Sequence, residues 1–64
     1  MKTDLFPERP LVLVVDDDVG IRRLLEEYLT REGFAVALAA DTRQAESILS
    51  LLVPEVLVLD IMMP

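Results

Sequence analysis

Apolar residues follow two different rhythms along this chain. Leu11-Val12-Leu13-Val14-Val15 is an unbroken apolar run, and Glu55-Val56-Leu57-Val58-Leu59 carries a second one close to the end. Runs this short and this rich in branched residues predict strands buried on both faces. Between them the spacing changes. Ile21, Leu24, Leu25, Tyr28 and Leu29 recur at helical period and form one stripe. Arg22, Arg23, Glu26 and Glu27 take the opposite face, with Arg22–Glu26 and Arg23–Glu27 at ion-pair spacing. Asp18 or Val19 opens this helix, Asp18 being suited to the N-cap, and Gly33 offers the left-handed position that ends it.

Phe34 to Ala39 alternates Phe34, Val36 and Leu38 with alanines, which predicts a second strand with one small face where a helix can lie close. Asp41-Thr42-Arg43-Gln44 has the form of a capping box. Ala45, Ile48, Leu49 and Leu52 then repeat at helical spacing until Pro54, which cannot continue a helix. Residues 1–10, with two prolines and mixed charges, read as a flexible leader, although Phe6 is placed to pack down onto the domain.

The element order is therefore β-α-β-α-β, and right-handed crossovers between parallel strands make it a doubly wound α/β unit. A dinucleotide-binding version of that fold fails at the residue level. Asp16-Asp17-Asp18-Val19-Gly20 follows the first strand, and it is acidic where such a site needs bare glycine backbone.

Composition narrows the chemistry. Twelve Asp and Glu against six Lys and Arg argue against contact with a phosphate backbone. Cysteine and histidine are both absent, which removes thiolate sites, disulfides and the commonest general base. Oxygen donors remain, and these suit hard cations such as magnesium or calcium. No stretch reaches the roughly 20 apolar residues of a membrane span. The acidic, polar start lacks the core of a secretory signal, so a cytoplasmic protein is expected.

Three acids draw attention by position. Asp16 and Asp17 close the first strand, and Asp60 closes the last. Neighbouring strands would bring these carboxylates within a few ångströms, and so many like charges call for something positive among them. Magnesium fits, because it takes one or two carboxylates and keeps several waters. Taken alone, three consecutive aspartates read first as a solvated acidic loop. Tyr28 and the Met62–Met63 pair read as core packing and loop filling.

Val14-Val15-Asp16-Asp17, Leu59-Asp60-Ile61-Met62-Met63-Pro64 and the α-β-α pattern between them resemble the receiver domains of two-component response regulators. The resemblance implies a flavodoxin-like fold, here a truncated β-α-β-α-β unit with strand order 2-1-3, residues 11–64 forming the N-terminal half of the domain. It implies that Asp60 accepts a phosphoryl group from a sensor histidine kinase or phosphotransfer protein, so the domain is a phosphoacceptor and not an enzyme. It further implies that Asp17 ligates Mg2+ directly, that Asp16 helps through ligand waters, that Asp60 also ligates the ion, and that the Met62 backbone carbonyl completes the metal shell.

The pattern also departs from the family. Receivers use a Ser or Thr and a Lys at the ends of two later strands, and neither has a counterpart among these residues. Lys2, the single lysine, falls in the leader. Phosphorylation of this chain by itself is therefore expected to be impaired. A non-catalytic interaction module or an inactive fragment is the alternative. The third strand becomes an apolar sheet edge, which predicts weak folding or self-association through that edge. The face of the first strand that a further helix would cover is also expected to be open.

Overall fold

The computed structural model describes residues 9–59. Leu11–Val15 forms β1, Val19–Arg31 forms α1, Ala35–Ala39 forms β2, Thr42–Leu49 forms α2 and Val56–Leu59 forms β3. The strands make one parallel sheet in the order β2-β1-β3. Both the element order and the strand order match the expectation.

The register explains how so short a chain builds a sheet. Leu11 pairs with Ala35 and Val15 with Ala39 on one side, while Val12 pairs with Val56 and Val15 with Leu59 on the other. Backbone bonds continue the ladders past the strand ends: Ala35 N–H donates to the Pro10 carbonyl at 2.9 Å, Asp16 N–H to Ala39 at 3.0 Å, and Glu55 N–H to Leu11 at 2.8 Å. The chain leaves β1 toward one edge and returns from β2 toward the other. Right-handed crossovers of opposite direction put α1 and α2 on opposite faces of the sheet.

Each helix end is closed by the residue type found there. Asp18 caps α1, its Oδ1 accepting from Gly20 N–H at 2.8 Å and Ile21 N–H at 3.1 Å. At the other end Gly33 adopts φ +98°, with Gly33 N–H donating to Thr30 and Phe34 N–H to Leu29. This pair of bonds is a Schellman motif, and it needs the left-handed residue that glycine supplies without a Cβ penalty.

Asp41 caps α2 through Gln44 N–H at 2.8 Å. The reciprocal half of the box is displaced by one residue, because the Gln44 side chain accepts from Ala40 N–H at 2.7 Å rather than from Asp41. Helix α2 is shorter than the apolar spacing suggested. Its regular part stops at Leu49, and Ser50 turns its hydroxyl onto the Ser47 carbonyl at 2.7 Å. Pro54 has no N–H to offer the Ser50 carbonyl, so the chain unwinds through Leu52.

The core sits on β1. Leu13, Val15, Ala39 and Ala45 cluster on the face covered by α2, with Ala37 and Ile48 packed against them. The alanine face of β2 thus receives α2 closely, as the sequence suggested.

Two expectations are corrected. Neither face of β1 is open: Val12 and Val14 are 2% and 0% exposed. As the middle strand, β1 is screened sideways by both neighbours as well as by the helices. The stripe of α1 is only partly used. Leu25 and Leu29 are half-buried, but Leu24 is 65% and Tyr28 55% exposed. A helix lying over so narrow a sheet meets it along one row of side chains, and the rest of the stripe overhangs.

Strand β3 meets the opposite fate to β1: it is the expected apolar edge, and not the strand buried on both faces that its unbroken apolar run predicts. All four of its residues are exposed, and among the described residues its one strand partner is β1.

Candidate functional site

The acidic turn between β1 and α1 is held by its own backbone and by one arginine. Asp16 is 8% exposed. Its N–H extends the ladder to Ala39, its Oδ1 accepts from Asp18 N–H at 2.9 Å, and its carbonyl accepts from Arg22 Nη1 at 2.7 Å. Every backbone group of Asp16 is therefore used, as is one oxygen of its carboxylate. Asp17, between two pinned neighbours, has an exposed side chain. Asp18 spends its carboxylate on the helix cap, as its position suggested.

The turn has this shape for local reasons. A cap residue must be extended, and Asp18 has φ −91° and ψ 116°. Gly20 lets the cap close tightly, since a Cβ there would lie 3.2 Å from Asp18 Oδ1. The strand ends at Val15, so consecutive acids emerge where the sheet stops and the helix has not begun.

Arg22 is the feature that the sequence pattern misassigned. Its spacing pointed to Glu26, but its guanidinium reaches back across the turn to the Asp16 carbonyl. The ion pair on α1 among the described residues is Arg31–Glu27 at 3.5 Å, well exposed on both sides. Such a surface pair contributes little. The available signal was the position of Arg22 one turn into the helix that the acids precede.

Of the residues singled out for the site, Asp16 and Asp17 stand together on this turn. Asp60 and Met62 lie outside the described residues. The sheet nevertheless fixes where the chain arrives before them: Leu59 is paired with Val15, so the carboxyl ends of β1 and β3 lie side by side. Among the described residues no group of three acids is placed to hold a metal ion. Asp16 and Asp17 do fit a magnesium site in kind, because they are hard oxygen donors and that ion needs only one or two carboxylates.

Residues 12–64 match the response regulator receiver domain family. That match covers most of the chain and includes both strand-end acid sites. The chain belongs to the response regulator receiver domains.

This receiver is 49% identical over 53 residues to "Probable transcriptional regulator ycf27" of Cyanophora paradoxa, covering 83% of this chain and 22% of that protein. It is 47% identical over 55 residues to "Protein PetR" of Rhodobacter capsulatus, covering 86% of the chain and 23% of the relative. A ycf27 protein of Guillardia theta is 43% identical over 53 residues, covering 83% of the chain and 21% of its own length. The receiver thus spans less than a quarter of the length of these relatives. No solved structure matches it. Membership of the family places the chain in two-component signalling, and no helix among its described residues is long and apolar enough to cross a membrane.

Proposed function

We propose that this receiver takes a phosphoryl group on Asp60 from the phosphohistidine of a sensor histidine kinase or phosphotransfer protein, in the cytoplasm, with Mg2+ bound beside it. What supports the reading is the parallel pairing of β1 and β3 with Val15 opposite Leu59. Consecutive Cα atoms are about 3.8 Å apart, so the residue after Leu59 and the residues after Val15 start from neighbouring points. Asp17 and Asp16 would hold the ion with Asp60, and the Met62 carbonyl would complete its shell. When bound, the ion supplies positive charge that offsets repulsion between an anionic acceptor and an anionic donor.

The remaining work falls to the chain. A carboxylate oxygen of Asp60 forms the new O–P bond while the P–N bond to the donor imidazole breaks, and the departing nitrogen keeps the electron pair. Asp17, which is exposed, would take its place at the ion, and Asp16, braced through one oxygen, would have the other left for water-mediated contact. The receiver is the recipient of the group, not an enzyme. These 64 residues carry no lysine or hydroxyl of the family type at a later strand end, so uptake by them alone is expected to be slow. Two relatives are named as probable transcriptional regulators, which favours control of transcription as the output of the whole protein. The acidic balance argues that this segment does not itself touch nucleic acid.

The test is incubation with a small phosphodonor such as phosphoramidate, with and without Mg2+, followed by mass spectrometry. An acid-stable, base-labile acyl phosphate should appear on Asp60, depend on the ion, and vanish in Asp60→Asn. Equal labelling of Asp60→Asn would end the reading.

The exposure of all four β3 residues favours a second reading, an interaction module that associates through that edge. Its binding would survive Asp60→Ala and ignore magnesium.

A further inference from the structure

The peptide planes on both sides of Asp17 are gripped by groups that do not belong to Asp17. The plane before it carries the Asp16 carbonyl, which takes a 2.7 Å bond from Arg22 Nη1. The plane after it carries the Asp18 N–H, which is bound to Asp16 Oδ1 at 2.9 Å. Two peptide planes meet at each Cα, and fixing both fixes the direction of the Cα–Cβ bond between them. Asp17 itself is exposed. Its direction is set by its neighbours.

We propose that Arg22 is a positioning residue of the receiver: by holding the Asp16 carbonyl it aims the Asp17 carboxylate at the cation site. This rests on the magnesium reading given above. Arg22 is suited to the task. It lies at the first intrahelical bond of α1, with Arg22 N–H on the Asp18 carbonyl at 3.0 Å, so its backbone is anchored to the same turn that its side chain clasps. A planar guanidinium holds a fixed direction where a lysine ammonium would not. Its charge also lies next to the acids that the sequence left without a counter-ion.

Charge and aim act in opposite senses on a bound cation, and this makes the proposal separable. Removing a positive charge near the site should tighten Mg2+ binding, whereas losing the aim should weaken it. Arg23 is the matched control, because it is the adjacent arginine and is exposed.

The experiment is a Mg2+ titration of 15N-labelled protein followed by amide chemical shifts, for wild type, Arg22→Met and Arg23→Met. Outer-shell partners of metal ligands are typically worth ten- to a hundredfold in affinity. Arg22→Met acts through the backbone, so its Kd should rise by about tenfold, the low end of that range. Arg23→Met should leave Kd unchanged or lower it. In the metal-free protein the Asp17 and Asp18 amides should shift and the Asp18 amide exchange faster in Arg22→Met, but not in Arg23→Met.

Wild type binding Mg2+ with Arg22→Met as tight as Arg23→Met would overturn the positioning role and leave the metal reading intact. A wild type that ignores millimolar Mg2+ would overturn the metal reading and the aim with it. The metal-free amides decide the clamp separately, and unchanged Asp17 and Asp18 signals in Arg22→Met would overturn that half.

Discussion

Strands β1 and β3 carry almost the same residues in the same register, yet they lead opposite lives. Val12, Leu13 and Val14 pair with Val56, Leu57 and Val58, identical residues in identical order. On β1 they are 0–2% exposed, and on β3 they are 36–51% exposed. Nothing in the side chains distinguishes the two runs. Place in the sheet does: a middle strand has a neighbour on each side, while an edge strand leaves half of its flank to solvent. The same contrast extends to the loops that follow and precede them. The turn after β1 is pinned by four named hydrogen bonds and a buried aspartate, whereas Leu51 and Val53, leading into β3, are exposed.

The largest break of this comparison is a matched pair of truncations. Leu13→Ala removes a fully buried side chain and should cost about 3 kcal/mol, within the range for core leucines. Leu57→Ala removes one that is already 51% exposed, and should cost about 1 kcal/mol. Urea denaturation of both variants measures the difference. Equal costs would mean that β3 is covered in solution. A chain of this length has on the order of 3–10 kcal/mol in all, so Leu13→Ala should approach the unfolding threshold.

A smaller effect sharpens the contrast between the pinned turn and the rest. Asp18 caps α1 through two amides and Asp41 caps α2 through one. Asp18→Ala should cost about 1–2 kcal/mol and Asp41→Ala about 1 kcal/mol, read as shifts in the same denaturation midpoint. A negligible cost for Asp18→Ala would show that Arg22 and the β1–β2 ladder hold the turn without the cap.

The smallest change in folding stability is expected from Leu57→Lys, within about 1 kcal/mol. It should act instead on association, since a charge on an apolar edge blocks strand addition. Sedimentation velocity over a range of concentrations should show wild-type association that Leu57→Lys abolishes. A wild type that stays monomeric throughout would remove the second reading of function.

Much of this receiver is legible in its residues because the signals are local. The cap at Asp18, the glycine at the end of α1 and the box at Asp41 each rest on contacts within one turn of chain. The sequence pattern extends the second strand to Phe34 and the third to Glu55, and both residues fall just outside, because boundaries between loop and ladder depend on partner strands. The Arg22 contact was misassigned for a related reason. Helical spacing names the neighbours on the same helix, but a long side chain also reaches across to whatever the fold sets beside it.

The chain's own residue order determined the alternation of strands and helices, the caps, the family, and the presence of acids at the ends of two apolar runs. Those features follow from hydrogen bonds and side-chain periods that close within a few residues. Which strand is covered, how much of the α1 stripe is used, and which carbonyl Arg22 grips were decided by assembly. Burial and long-range hydrogen bonds belong to pairs of segments distant in sequence, and β1 and β3 show that an identical run can be core or surface according to its neighbours.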